Sequence, residues 1–573
     1  AALICPLELL RRGTAETLGN EPVSIGMWVG GGTTPNTLFK ARDLLAELQA
    51  GRTQEEGFIL ELCPWCGTEV VPESPVEEDD WGIVATATEF NMNCPNQRCP
   101  FHFRLPVSVV DEDLYDHPPT FLIGTIDKFA RFAWDARPGA FLGTGNFPGP
   151  SLIIQDELHT ISGPLGTVAG LYEAAFDLVM AHSGSRPKVI ASTATINRAD
   201  EQVRGLFDRD VFLFPPSGMS HKDSFFVHFD DSVPGRRYVG VMAQSHSPTT
   251  SNVHTTAALL CAPLDLGLSG ASLDAYWTLV AYQNSLKEVG KTRNIARDDI
   301  PARMRVIRTT GQVRQLDRSD DVVELTSNLG ANEIPKALEL LERGHSNGQG
   351  PDAVSIAVCT NMIQVGLDIQ RLSLMLVNGQ PKSTSEYIQA TSRVGRKTGG
   401  PPGLVVALYS AAKPRDRSHY ESFKPYHASI YRSVEPTSVT PWALPARKRA
   451  LHATFVILAR QLLGLPEDAD ADRFVRSAQV DNLIEAIVTR AANSDPREAA
   501  ATRAHLQLLV DQWQTEAASR PDDKPLHYEH EPAEDQRRLL KRFRSKLPGL
   551  WPTLDSMRNV DSDTLVKVNG ERT

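Results

Sequence analysis

Two adjacent carboxylates, Asp156 and Glu157, follow the short apolar run Leu152-Ile153-Ile154. Such a run suits a strand buried in a parallel sheet, and its polar end falls at the sheet's carboxyl edge, where open α/β sheets bind ligands. There one carboxylate can hold Mg2+ while its neighbour orients or deprotonates a water that attacks a phosphoryl group. A solvated strand end is the plainer alternative, so the pair needs partners elsewhere in the chain. Ser192 and Thr193 close another apolar run, Val189-Ile190-Ala191. Gly30-Gly31-Gly32 follows the apolar Val23–Val29 and is either a flexible turn or a backbone that approaches phosphate closely.

A second chemistry is written in cysteine. Cys63, Cys66, Cys94 and Cys99 have the spacing C-x2-C-x27-C-x4-C, and each pair sits in a turn with Pro or Gly. Turns of that kind let two sulfurs reach one tetrahedral ion, and four sulfurs leave no open position for water. The expectation is a structural zinc held by these four thiols, with redox thiols as the alternative. His102 is a possible substitute ligand, and a plain ribbon side chain otherwise. Seven cysteines in 573 residues make no disulfide scaffold; the odd count and the CxxC favour a reducing compartment, hence the cytoplasm.

The length allows about three or four domains. With 41% hydrophobic and 23% charged residues the composition is globular, and a net charge of −11 argues against a protein that coats nucleic acid indiscriminately. No apolar run reaches the length of a membrane span. The chain opens at Ala1 in a helical segment without a cap, as a fragment would.

The elements that must position these residues alternate. Helices are expected at 1–12, Thr37–Ala50 and Gly163–Met180, and strands at Val23–Val29, Phe121–Asp127, Leu152–Ile154 and Val189–Thr195. Glu69–Val71 and Gly82–Phe90 form the strands of a zinc ribbon. Gly143–Gly149 looks like a phosphate loop but lacks Lys and is followed by Pro, so it reads as a connector. From 206 the pattern loosens into a linker. Strands at Tyr276–Gln283, Val322–Leu325, Val354–Cys359, Leu372–Val377 and Leu404–Tyr409, with helices Glu333–Arg343 and Ser383–Ser392, make a second parallel sheet. Apolar spacing at three and four predicts helices at Ala450–Leu463, Val480–Ala491 and Glu498–Trp513. The segment 536–546 carries six basic residues, as an amphipathic helix or a nucleic-acid contact.

Taken in order, these strand ends resemble the motifs of superfamily 2 DExH helicases. Gly30–Gly32 is similar to the GG element and Gly124-Thr125-Ile-Asp-Lys-Phe129 to the TPGRL position. Asp156-Glu157-Leu158-His159 resembles motif II, Ser192–Thr195 motif III, and Leu279–Ser285 lies where motif IV belongs. Thr360–Asp368 is similar to motif V and Gln389–Arg396 to motif VI. DELHTISGPLGTVAGLYE, WTLVAYQNSLKEVGK, RDRSHYESF and TLDSMRNV further resemble the DrmA family of DISARM anti-phage helicase subunits. The resemblance implies two tandem RecA-like domains, at 1–205 (with the zinc-ribbon-like insertion near 58–110) and 206–412, and a helical region at 413–573.

It also implies roles. Asp156 holds Mg2+ and Glu157 acts on water. Arg393 and Arg396, three apart on one helical face, serve as arginine fingers beside Gln389. Gly366, Asp368, Ser192 and Thr193 belong to the ATP site, and His159 either couples it to motif III or is a plain buried histidine. Gly31, Gly32, Thr125, Lys128, Thr326 and Thr360 contact phosphates or sugars of single-stranded or partly duplex DNA, with RNA as the alternative. A DrmB-like partner is implied by the resemblance alone. One motif is missing from the 573 residues: G-x4-G-K-[ST]. Gly290-Lys291-Thr292 follows motif IV and has Ser at 285, so it does not replace that loop. A chain without the loop is expected to hydrolyse ATP poorly, or to serve as a non-hydrolysing nucleic-acid-binding scaffold.

Overall fold

The computed structural model describes residues 1–53, 57–72, 80–193, 198–216, 218–220, 223, 225–226, 228–230, 232–307, 314, 316, 318–330, 333–345, 353–360, 368–435, 438–519, 524–529, 537–543 and 545–558. These fall into two compact units. Residues 1–193, 198–211 and those from 438 onward form the first, and residues 212–435 the second. The chain therefore changes unit at 211 and again near 437, rather than at the linear boundaries 205 and 412. The segment 413–435 stays with the second sheet, and the C-terminal helices build the core of the first unit.

In the first unit β1 (Ile25–Trp28) pairs in parallel with β4 (Val107–Ser108) on one side and β5 (Phe121–Gly124) on the other. A separate parallel pair joins β6 (Leu152–Gln155) to β7 (Lys188–Ala191). Between β1 and β4 lies the cysteine-bearing module with its antiparallel hairpin, β2 (Ile83–Ala85) and β3 (Phe90–Met92), and an antiparallel bridge from Leu62 to Glu69. The strand expected over Gly82–Phe90 is thus this hairpin, because Thr86 turns the chain back by accepting from the N–H groups of Thr88 and Glu89.

The helix Gly163–His182 buries Val168, Leu171, Tyr172, Phe176 and Val179 in a core shared with Val456, Ile457 and Leu458 of the helix His452–Leu462. Ile153 packs against that core. Leu152 and Ile154 do not: they are 43% and 57% exposed, as is Ile190 beside them at 47%. The expectation of a strand buried on both faces is corrected here, since side chains alternate along a strand and only one face of β6 and β7 is packed.

The second unit meets that requirement. Among the described residues its sheet has six strands, all parallel, in the order β10 (Val322–Leu325), β11 (Ile356–Cys359), β9 (Leu279–Gln283), β12 (Leu374–Asn378), β13 (Leu404–Tyr409), β8 (Arg237–Met242). Alternate residues feed two cores. Val280, Tyr282, Ala357, Cys359, Met375 and Val377 pack on one face; Leu279, Ala281, Ile356, Val358, Leu374 and Leu376 pack on the other. Burial on both faces explains the continuous apolar runs in the sequence.

Three expectations change. Residues 276–277 end the helix Gly270–Trp277, so β9 starts only at Leu279. The stretch read as linker holds β8 and the helix Pro248–Asp265, capped by Ser247. The basic segment near the C terminus forms short strands at Arg537–Arg538 and Leu540–Arg542, paired with Leu526–His527 and Trp551–Thr553. Arg538, Leu539 and Leu540 are buried there, which a solvated helix could not provide. Among the described residues no helix is long and apolar enough to cross a membrane.

Candidate functional site

The carboxyl ends of β6 and β7 bring the motif II and motif III residues together. Ladder pairing of Gln155 with Ala191 sets Asp156 beside Ser192. The Ser192 hydroxyl donates to Asp156 Oδ1, which also accepts the Glu157 N–H at 2.9 Å. Glu157 adopts a left-handed backbone, φ +51°, and turns the chain into a short 3-10 segment, Leu158–Thr160. That turn swings His159 back, so that its Nδ1 lies 3.3 Å from Glu157 Oε2 and 3.4 Å from Thr193 Oγ1. The His159 side chain is nearly buried, whereas Glu157 is half exposed. Two oxygen-rich side chains therefore face solvent from a backbone that is itself tightly held.

The holding residue escaped the sequence reading. Gln202, fully buried in the helix Ala199–Phe207, donates from Nε2 to the carbonyls of Leu158 at 2.9 Å and Ile161 at 2.7 Å. A glutamine in an amphipathic helix carries no sign of this; only the packing of that helix shows it.

Beside β1, pairing of Trp28 with Gly124 sets the turn Gly30–Gly32 next to Thr125. Gly31, Gly32 and Thr125 are exposed. Lys128 is not. Its side chain is 7% exposed and forms an ion pair with Asp111 at 2.5 Å, and it donates to Asn36 Oδ1 at 2.9 Å. Burial pushes the Lys128 ammonium down and the Asp111 carboxyl up, each opposed by the charge of the other. The expected direct contact of Lys128 with a phosphate meets an ammonium that is buried and already paired with Asp111 and Asn36.

In the second unit the helix Thr384–Thr391 carries Gln389 and ends before the arginines. Arg393 and Arg396 are not on one helical face, because Gly395 takes a left-handed φ of +68°. A Cβ at Gly395 would lie 2.4 Å from the Gly403 nitrogen, so the glycine between the arginines is a backbone requirement. The two side chains diverge. Arg396 pairs with Asp368 at 3.0 Å. Arg393 lines a small pocket with Val280, Leu325, Ala357, Ile369 and Leu372. Arg236, another residue unmarked by any motif, clamps the turn by donating to the carbonyls of Val394 (2.7 Å) and Ser392 (3.1 Å).

Thr326 and Thr360 follow β10 and β11 as expected, yet they are 0% and 7% exposed. The Thr326 hydroxyl donates back to Glu324 Oε1 at 2.6 Å, so the expected strand contact meets a buried, internally bonded hydroxyl. Residues 361–367 of motif V, Gly366 among them, lie outside the described residues. So do Ala194 and Thr195 of motif III.

The four cysteines converge. Their sulfurs all lie within 4.8 Å of one another, with Cys66–Cys94 at 3.5 Å and Cys63–Cys99 at 4.0 Å. Four sulfurs about 2.3 Å from one zinc are about 3.8 Å apart, so the donor set fits a tetrahedral ion. Burial opposes ionisation of Cys66, but hydrogen bonds from Thr68, Cys94 and Cys63 together outweigh it and bring the thiol down to about 6. His102 lies with Nδ1 2.9 Å from the Cys94 carbonyl, where it orients the second turn.

Residues 305–398 match the family described as the helicase conserved C-terminal domain. The DISARM protein DrmA of Bacillus paralicheniformis is 36% identical to this chain over 98% of the chain and 54% of its own length. The uncharacterized ATP-dependent helicase YprA of Bacillus subtilis is 23% identical over 50% of the chain and 33% of its length. Among solved structures, the Mycobacterium smegmatis helicase Lhr bound to ssDNA and AMP-PNP overlays with a TM-score of 0.43 at 14% identity, over 87% of this chain and 51% of that one. The chain thus spans about half the length, or less, of the curated relatives it matches. With 36% identity to DrmA along nearly the whole chain, and the helicase conserved C-terminal domain matched at residues 305–398, the protein is a DrmA homologue.

Proposed function

We propose that this chain carries the motif II-to-VI part of an ATP-driven DNA helicase or translocase of bacterial anti-phage defence, acting in the cytoplasm on single-stranded or partly duplex DNA. One observation carries the reading: Asp156 and Glu157 stand at the end of β6, where Asp156 meets Ser192 at the end of β7 and His159 lies between Glu157 and Thr193. Bound Mg-ATP supplies the phosphoryl electrophile and the cation that neutralises it. Asp156, oriented by the Ser192 hydroxyl and the Glu157 N–H, holds that cation. Glu157 accepts a proton from the attacking water, and His159 links its carboxylate to Thr193, so nucleotide state can reach motif III. Within the second unit, Gln389, Arg393, Arg396, Asp368 and Gly366 are the nucleotide-contacting residues that the helicase resemblance suggests. Arg396 is kept oriented by Asp368. Gly31, Gly32 and Thr125 present backbone N–H groups and a hydroxyl to phosphates of one strand, a contact that carries no base preference. The Cys63, Cys66, Cys94 and Cys99 set holds a structural zinc, and a DrmB-like protein is the partner that the DISARM relationship suggests.

A second reading has its own support. No G-x4-G-K-[ST] occurs in the 573 residues, so a lysine-bearing cradle for the β- and γ-phosphates has to come from other polypeptide, or the chain grips nucleic acid without turnover. Phosphate release measured with no nucleic acid, single-stranded DNA or RNA separates these. The chain alone is expected to stay near background. A longer polypeptide that contains the loop should show DNA-stimulated turnover that Glu157→Gln removes. Stimulation by RNA only, or none in the loop-containing protein, overturns the DNA motor.

A further inference from the structure

We infer that Asn36, Lys128 and Asp111 are positioning residues for the exposed turn Gly30–Gly32. The inference rests on the proposed contact of that turn with a nucleic-acid strand. Lys128 Nζ is buried between two acceptors, Asp111 Oδ2 at 2.5 Å and Asn36 Oδ1 at 2.9 Å. The other end of the Asn36 carboxamide lies against the turn: a Cβ on Gly31 would fall 2.7 Å from Asn36 Nδ2. The lysine thus fixes the rotation of the carboxamide, and the carboxamide fills the space beneath Gly31. With the carboxamide held by Lys128, a side chain at Gly31 would have to displace it, so the turn rests directly on Asn36.

The elements around it are anchored to match. Asp111 opens the helix Asp111–Asp116, and its neighbour Glu112 accepts the N–H of Leu38 at 2.8 Å, holding the start of the helix Leu38–Gln49 that follows the turn. Thr37 caps the same helix by accepting from the Lys40 N–H. Asp127, beside Lys128, accepts from the Ser556 hydroxyl at 2.6 Å and pairs with Arg558 at 3.0 Å. Both charged side chains of the Thr125–Lys128 turn are therefore engaged within the protein. This segment acts as a bracket, and what it leaves exposed is Thr125 and the glycine backbone. A mobile glycine turn would have to be ordered at each binding event; a bracketed one is ordered in advance.

The test is binding of a fluorescein-labelled oligothymidylate by the whole chain, read as anisotropy over a series of NaCl concentrations, with a thermal melt of each variant. Asn36→Ala leaves the ion pair intact, and Asp111→Asn with Lys128→Met leaves no buried charge behind. Each is expected to weaken binding about fivefold, the worth of one ordered hydrogen bond. The slope of log K against log salt should stay unchanged, and all three substitutions together should be no worse than the pair. A slope shallower by about 0.7 in the Lys128 variant means that the Lys128 ammonium itself neutralises a phosphate, and overturns the inference. So does unchanged affinity in folded Asn36→Ala. No binding by the wild-type chain overturns the nucleic-acid reading, and this inference with it.

Discussion

His452 shows how far burial can move a single group. Its ring is buried beside Trp551, with Nε2 3.0 Å from the Thr553 hydroxyl, and burial drives it down to about 3 from its ordinary 6.5. A histidine kept neutral when folded, but free to protonate when unfolded, stabilises the protein fully above about pH 6.5 and loses that contribution as the pH falls toward 3. By linkage the loss at pH 5 is about 2 kcal/mol relative to pH 8. Urea denaturation of wild type and His452→Gln at the two pH values measures it: the wild type should lose about that much more than the variant. Equal losses would show that the group titrates normally. Asp156 and Glu157 stand in contrast. Their oxygens stay accessible, and what the protein controls is their orientation, through Ser192, His159 and, one step back, Gln202.

At the scale of elements, the cysteine module is two sulfur-bearing turns joined by the β2–β3 hairpin, and its small core contains Cys63, Cys94 and Cys99 themselves. Phe58, Phe90 and Phe101 pack in the same core. If the four thiols hold an ion, a module whose core is partly thiol should depend on it. Elemental analysis is expected to find about one zinc per chain, lost in Cys63→Ser together with a lower melting temperature. Retention of zinc by that variant, or its absence from wild type, would leave the four thiols as a redox set. The helix Thr384–Thr391 illustrates a different control. Its N terminus is fixed by Ser383 and Glu435, its exit by Arg236, and the left-handed Gly395 then sends Arg393 and Arg396 to different surroundings.

At the scale of the whole molecule, the two units differ in how the chain builds them. The described residues of the second all fall within 212–435, with both sheet faces covered. The first needs the helices His452–Leu462, Ala478–Ser494 and Ala499–Ser519 to complete the core around Phe176. Asp177 binds Arg209 at 2.8 Å and Arg490 at 2.7 Å, joining segments some three hundred residues apart in the chain. Residues 212–435 should therefore fold alone, with a cooperative melt by circular dichroism. Residues 1–211 should not, and adding 438–573 should restore them. A cooperative melt of 1–211 by itself would show that the C-terminal helices are dispensable.

Much of this was legible in the order of residues. Strands buried on both faces appear as apolar runs, so the parallel sheet of the second unit could be read almost element by element. The cysteine spacing announced a tetrahedral donor set, and Asp156-Glu157 with Ser192-Thr193 announced a shared sheet edge, because local sequence dictates strand ends and turns. What tertiary structure decided was exposure and partnership. Lys128 looks in sequence like a free cation in a polar turn, and only the fold shows it desolvated against Asp111. Thr326 and Thr360 end strands as expected, but in buried positions. Leu152 and Ile154 look like core residues and lie on an open face. Local pattern fixes where a side chain branches from the backbone; the elements that arrive from distant sequence decide whether water, a carboxylate or another side chain meets it.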